Sequence, residues 1–392
     1  MSVAEGTAPR RGWRLRVSFQ DPVVRHWTVE AVSLLVVVVA AVYLVQRVFA
    51  INLTFGFLGD PAGFGIGDQF LTRATGADPS WKAYLAGAAN TVRVAFFAIL
   101  IATGLGVLTG VSRLSSNWLI SKVALGYVEL VRNTPLLVFV VFWYTAVVLR
   151  LPPISRALHV GDLGFLSNRA IAFPTLAGEG GAALWWLLVA ASTVGGIVAW
   201  RVLRRLEEER GRHYRSAWVG LAVALGGACL AYVALDGPVH VERPVLGRFS
   251  YDGGLQLSPE FAGLLLGVGV YRGAYVAEVV RGALLAVPYG EREAAASLGL
   301  NGGQQLSRIV LPQALRLIVP SMIAQCQVLV KSTAVAVAIA FPDMLSIGRT
   351  VATNSGQAEA MFFVILGSYL AMNLVLAWTL SLVRRRWLAA RP

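Results

Sequence analysis

Charge is scarce in this chain. Asp, Glu, Lys and Arg together make up 14% of its 392 residues, against roughly 25% in soluble domains. That shortage excludes an ordinary water-soluble globule. Cysteine is rarer still: Cys229 and Cys326 both sit inside apolar blocks, so no disulfide framework follows. The histidines, His26, His159, His213 and His240, are scattered and show no metal-ligand spacing. A Gly-x-x-x-x-Gly-Lys-Ser/Thr stretch is absent, which removes the backbone cradle that would hold a nucleotide's phosphates. Nor does any Ser/His/Asp arrangement or pair of soluble carboxylates suggest catalysis. The chain reads as something other than an enzyme, with no metal and no cofactor of its own.

What is present is apolar length. Hydrophobic residues make up 56% of the chain, and the mean hydropathy is +0.65. They fall in blocks of about 20 residues, the length needed to cross a hydrocarbon core of roughly 30 Å. The expected fold class is an all-α polytopic membrane protein with about eight transmembrane helices. The spans are read at Val29–Val48, Ala88–Val111, Ala124–Leu149, Leu184–Trp200, Ala217–Leu235, Phe261–Val280, Leu317–Ala340 and Met361–Val383. Met1 to Trp27 is polar and basic, and the apolar run after it is long enough to stay in the membrane rather than be cleaved as a signal.

The net charge of +13 does not point to nucleic acid. The arginines flank the apolar blocks, where the positive-inside rule puts them. Most of the 34 basic residues lie on one set of flanks, around Arg10–Arg25, Arg113, Arg201–Arg215, Arg281–Arg316 and Arg384–Arg391. That set is expected to be cytoplasmic, with both termini inside. The long connections Phe49–Gly87, Arg150–Ala183 and Asp236–Glu260 then face outward. They are rich in Gly, Pro and Asp, and irregular structure is expected there.

One connection on the basic side is unusual. Arg292 to Leu300 reads as a short helix poor in bulky side chains, and Gly299, Asn301, Gly302 and Gly303 allow a sharp turn after it. An amphipathic stretch, Gln304 to Leu311, leads to Pro312, which suits the first turn of the next helix. Such an alanine-faced helix is shaped to enter a groove on another protein. The alternative is a loop lying on the lipid headgroups.

The spacing Glu293-Ala294-Ala295, then Gly299, then Ile309, Leu311 and Pro312 resembles the cytoplasmic loop of ABC-importer permease subunits. Further stretches are similar to the polar amino-acid permeases: Asn90-Thr91-Val92-Arg93, Glu129 to Leu137, Ala274 to Gly282, and Pro342-Asp343-Met344-Leu345. Thr353 to Ala358 resembles the general L-amino-acid permeases. Two positions depart from the pattern. Glu291 stands where the family usually has Gln, and Ser332-Thr333-Ala334 replaces a more polar run.

The resemblance implies a type I ABC-importer transmembrane fold, with an extra N-terminal helix and an inserted hairpin. The corresponding division is a basic tail at 1–28, an extra helix and external loop at 29–85, a transmembrane domain at 86–384 and a basic tail at 385–392. The hairpin lies at about 184–235 and the coupling loop at about 288–312. The resemblance also implies a permease for L-amino acids in a bacterial inner membrane. Its implied partners are an ABC ATPase dimer that binds ATP and Mg, a second, related permease subunit, and an extracytoplasmic amino-acid-binding protein. Membrane lipid surrounds it, and no nucleic acid is involved. Glu293, Ala294, Ala295, Gly299, Ile309, Leu311 and Pro312 would form the ATPase-coupling loop.

Ionisable groups inside spans are costly and face a pathway or a partner. Here they are Arg93, Glu129, Arg132, Arg272, Glu278 and Lys331. Glu129 with Arg132, and Glu278 with Arg281, are three apart and can each neutralise locally. Lys331, with Gln325 and Gln327 on the same span, is a candidate for meeting a substrate carboxylate, and Glu278 is a further pathway candidate. Gly104, Gly106 and Gly110 read as close helix packing. Two other functions compete with the importer: an ion-gradient-driven secondary transporter of small polar solutes, which would call for inverted repeats and broken helices, and a scaffold or receptor that binds a signalling partner.

Overall fold

The computed structural model describes residues 22–49, 53–161, 164–178, 180–210, 215–247 and 250–389. Most of the predicted basic N-terminal tail, and the last residues of the C-terminal one, lie outside that set. Residues 1–56 and 57–392 form two compact units. In the first, α1 (Pro22–Phe49) is one apolar helix whose described side chains are almost all exposed. Its stretch His26–Tyr43 is long and apolar enough to cross a membrane.

The second unit is built on two long helices, α2 (Ser80–Ser112) and α7 (Pro259–Leu285). Ser258 starts α7 as its N-cap, accepting from the Phe261 N–H at 3.1 Å, with Pro259 in the first turn. A helix with no free first-turn N–H at Pro loses nothing there. Small residues let the two backbones approach. A Cβ on Gly106 would collide with Val276, and one on Gly110 would stand 2.7 Å from the Ala277 carbonyl oxygen. Gly104 faces open space, so the predicted glycine cluster packs through two of its three members.

The span expected at Ala124–Leu149 is broken. α3 (Trp118–Arg132) and α4 (Leu136–Phe142), which runs on as a π-helical turn Trp143–Val148, meet at 108°. Pro135 lacks an N–H and its ring biases Thr134 away from helical geometry, so the helix stops at Arg132 and restarts at Leu136. By length and apolarity, seven helices among the described residues could cross a membrane, or eight if the bent pair counts as one.

α5 (Ala182–Arg210) and α6 (Ser216–Ala234) form the inserted hairpin. Gly196 and Gly220 pack face to face, and Ser192 donates to the Ala224 carbonyl at 3.2 Å. Glu207 closes the turn by accepting from both the N–H and the hydroxyl of Ser216 at 3.1 and 2.9 Å.

The segments flanking that hairpin are not irregular, as expected, but paired. The strands are β1 (Leu158–His159), β2 (Phe165–Leu166), β3 (Ile171–Phe173), β4 (Thr175–Gly178), β5 (Val239–Glu242), β6 (Val245–Leu246), β7 (Tyr251–Asp252) and β8 (Leu255–Leu257). They make an antiparallel sheet of order β1-β2-β3-β8 and two antiparallel pairs, β4-β5 and β6-β7. Ile171 sits opposite Leu257, and Thr175 opposite Glu242. Ala157, Ala172 and Tyr251 form a small buried core, with the Phe165 ring stacked on Tyr251 at 5.3 Å. Two strands brought together by a closed hairpin satisfy backbone groups that would otherwise be stranded.

After α7 come α8 (Tyr289–Ser297), α9 (Gly302–Gln305), a π-helical turn Leu306–Val310, and α10 (Leu311–Ser332), which tightens into a 3-10 stretch Thr333–Ile339. α11 (Met344–Ser355) and α12 (Ala358–Ala389) complete the chain. The main core lies among α2, α7 and the end of α10, where Val94, Ala98, Phe261, Leu264, Val268, Leu329 and Phe341 are buried together.

Candidate functional site

The predicted coupling segment is a rigid corner. α8 ends with Gly299 at φ +76°, the left-handed region that Gly enters without steric penalty. The Gly299 N–H donates to the Ala296 carbonyl at 2.9 Å, and the Leu300 N–H to the Ala295 carbonyl at 3.1 Å. This crossed pair is a Schellman motif, and it accounts for a Gly four residues after Ala295. One residue later Asn301 opens α9 with a capping box: its side chain accepts from the Gln304 N–H at 2.9 Å, and the Gln304 side chain accepts from the Asn301 N–H at 3.0 Å. Arg292 donates to the Leu284 carbonyl at 2.9 Å, which fastens α8 to the end of α7. Gln313 donates to Glu291 at 3.3 Å, which fastens it to α10. Glu291 is the position at which the chain departs from the family pattern.

The faces of this corner are distinct. Ala295 is 2% exposed and turned inward, so it cannot offer its methyl group to another protein while α8 is folded. Glu293, Ala294, Ala296 and Gly299 are exposed, Ile309 and Pro312 are half-buried, and Leu311 is at the edge of exposure. Tyr289 and Leu298, at 73% and 81% exposed, are the large side chains of the outer face. Sequence reasoning passed over both, although a bulky apolar residue on each flank of an Ala run was a readable signal. A cavity of about 440 Å³ lies behind the corner, against Ser112, Ile120, Leu284, Arg292 and Gln305.

Glu278 is a hub rather than half of a local pair. It pairs with Arg281 at 3.2 Å on its own helix, with Arg113 past the end of α2, and with Arg132 at 3.6 Å from α3. Arg132 therefore does not pair with Glu129 as expected; Glu129 accepts from Asn133 at 3.3 Å. A carboxylate in apolar surroundings is stabilised where several guanidinium groups reach it, and here they come from α3, α7 and the residue after α2. These contacts take up the charge of Glu278 within the chain.

At the opposite end, two motifs hold each other. Asn90 donates to the Asp68 and Pro342 carbonyls at 2.8 and 3.0 Å, and the Thr91 hydroxyl accepts from the Met344 N–H at 2.9 Å. Asp343 caps α11 by accepting from the Ser346 N–H at 2.8 Å. Burial pushes the Asp343 carboxyl above its usual range, partly offset by those donors. Arg93 pairs with Asp68 at 3.0 Å and lies over the Phe261 ring at 4.0 Å. A cavity of about 840 Å³ opens beside this region, lined by Asp68, Asn168, Ser258, Glu260, Ser346 and Thr350 among others.

The remaining candidates lie on α10. Lys331 is exposed and makes no hydrogen bond or ion pair among the described residues. The buried Gln325 Oε1 has no partner among the described residues, and Gln327 donates to the Asn373 carbonyl at 3.5 Å. The adjacent Ser332 accepts from Arg272 of α7, a residue the motif matches did not single out.

Residues 102–388 match the family described as the binding-protein-dependent transport system inner membrane component. The chain belongs to this family. As a member it is a permease component, a multi-pass inner-membrane protein and not an enzyme. Permeases of this family generally pair with ATPase subunits and binding proteins.

Among relatives, a General L-amino acid transport system permease protein AapQ of Rhizobium johnstonii is 33% identical over 93% of this chain and 92% of its own. A putative amino-acid ABC transporter permease protein YhdX of Escherichia coli K12 is 34% identical over 94% and 96%. A glutamate/glutamine/aspartate/asparagine permease protein BztB of Rhodobacter capsulatus is 28% identical over 96% and 97%. A solved amino-acid ABC transporter chain aligns with a TM-score of 0.47 at 19% identity, over 78% of this chain and 94% of that one.

Proposed function

We propose that this permease carries L-amino acids across the inner membrane and takes its driving force from a separate ATPase dimer seated on the α8–α9 corner. The observation that carries the reading is the corner itself: a short helix locked by a Schellman motif and a capping box, tied to both α7 and α10, with Tyr289, Glu293, Ala294 and Leu298 exposed on one side. A handle of that kind suits transmission of movement between a motor and the spans. Near-full-length similarity to relatives named as amino-acid permeases supports the cargo.

On this reading the transmembrane domain runs over 86–384, with the coupling loop at about 288–312 and both termini inside. Glu293, Ala294 and Gly299 serve the ATPase contact, with Ile309, Leu311 and Pro312 setting the start of α10. Ala295 supports the corner from within. ATP and Mg bind to the partner ATPase. A second, related permease subunit and an extracytoplasmic amino-acid-binding protein complete the assembly.

The test is reconstitution of the chain with these partners in liposomes, following labelled amino-acid uptake with and without ATP. ATP-dependent uptake is expected. Uptake that ignores ATP and follows a proton or sodium gradient would overturn the proposal. A crosslinker at Leu298→Cys should capture the ATPase; failure to do so in a transporting complex would place the contact elsewhere.

A further inference from the structure

Of the arginines within spans, Arg93 and Arg132 reach carboxylates. Arg272 does not. It stands midway along the 27 residues of α7, half-buried, with the Ser332 hydroxyl of α10 as the acceptor for one Nη. A guanidinium has five N–H donors, and the buried Nε–H has no partner among the described residues. The rings of Tyr271 and Tyr275 lie 5.8 and 5.4 Å from its centre. They soften the charge without neutralising it. Lys331, next to Ser332, is a second cation with no partner among the described residues. It sits in the last turn of α10, where the helix tightens to 3-10 geometry. On the same helix the buried Gln325 Oε1 is an acceptor with no donor among the described residues.

A half-buried guanidinium on α7 and an ammonium one residue from its Ser332 acceptor, neither paired with a carboxylate among the described residues, are costly in an apolar setting and face a pathway or a partner. A guanidinium suits a carboxylate better than any other group an amino acid carries, because its N–H fork matches the two oxygens. Beyond Arg316 the exposed positions of α10 are small or apolar, with Ser321, Ala324 and Val328 leading to Lys331.

We infer that Arg272, with Lys331 one residue from its acceptor Ser332, receives the side-chain carboxylate of acidic substrates and, through its positive charge, disfavours those with cationic side chains. The inference rests on the proposed importer function and names its specificity. Arg272 is a binding residue here, and Ser332 positions it by accepting from one arm.

The experiment uses the full complex, with its ATPase, second permease and binding protein, in liposomes, and measures ATP-driven uptake of labelled glutamate, glutamine and arginine. Arg272→Gln should lower the glutamate-to-arginine uptake ratio by about tenfold, the loss expected for one charge-assisted contact, and Arg272→Lys should restore much of it. Lys331→Gln, at an exposed position with no partner to lose, should move the ratio the same way by about threefold and covers the case in which Arg272→Gln does not assemble. A purely structural Arg272 would instead lower uptake of all three substrates together. An unmoved ratio in every variant that assembles, or one that rises, would overturn the inference. Failure of the unaltered complex to take up any of the three with ATP would reject the importer reading instead.

Discussion

Gly110 on α2 lies so close to Ala277 on α7 that a Cβ at position 110 would stand 2.7 Å from its carbonyl oxygen and 2.8 Å from Val280 Cβ. Neither backbone oxygen nor a β-branched side chain can step aside. Gly110→Ala should therefore cost about 1–3 kcal/mol of stability, as overpacking does in tight interiors. Gly106→Ala, which would drive into Val276, should behave alike. Gly104→Ala should stay within about 0.5 kcal/mol of the parent, since nothing lies near it. Thermal unfolding of the three variants in detergent separates these outcomes.

Removing the shared carboxylate at Glu278 should hurt more than removing any one arginine around it. Glu278→Gln leaves Arg113, Arg132 and Arg281 facing each other without a counter-charge. With the Glu278 side chain 22% exposed, the cost is about 1–3 kcal/mol, below the figure for a fully buried pair. Arg132, at 44% exposed, should contribute under about 1 kcal/mol. Double-mutant cycles on Glu278 with Arg113 and with Arg132, read by melting temperature, check the order.

At Gly299 the constraint is the backbone angle alone, because no atom lies within 4 Å of where a Cβ would be. Gly299→Asn should be nearly neutral, since Asn enters the left-handed region readily, whereas Gly299→Val should cost at least about 1–2 kcal/mol of corner stability. Both proteins should insert normally in membranes. Limited proteolysis near Leu298, together with co-purification of the ATPase, distinguishes the two variants.

Acid should leave one half-buried ion pair, Lys82 with Asp78, untouched until low pH. Lys82 and two hydrogen bonds from Thr75 hold the Asp78 carboxyl down at about 2, from 3.8. A depressed carboxylate contributes its stability in full above the unfolded value and loses it as pH falls toward the folded one. The melting-temperature difference between the parent and Asp78→Asn should thus be constant from pH 7 to pH 5. It should shrink below pH 4 and be lost as pH falls through about 2.

The apolar blocks gave the spans because length and flanking arginine follow directly from the bilayer. The break at Asn133-Thr134-Pro135 was also written in the chain, but an unbroken hydropathy count runs over a proline. The strands beside the hairpin were not legible: at two to four residues each, they are too short to show alternation, and two of the pairings, β3 with β8 and β4 with β5, span the whole hairpin. Gly299 announced its turn, yet the inward direction of Ala295 depends on which carbonyls the turn engages. Arg272 was legible as an ionisable group within a span, but its setting was hidden for a similar reason. Its partner Ser332 is 60 residues away, a contact no local pattern encodes, and what distinguishes it from Arg93 and Arg132 is the absence of a carboxylate across the fold.

Only Leu300 separates the glycine that ends α8 from the asparagine that starts α9, and the backbone is bonded on both sides of it. Such a bracket cannot swallow motion by bending. On the proposed reading, a load applied at Leu298 or Tyr289 would reach the foot of α10 through Leu300, and three consecutive residues would set the leverage of the docked ATPase.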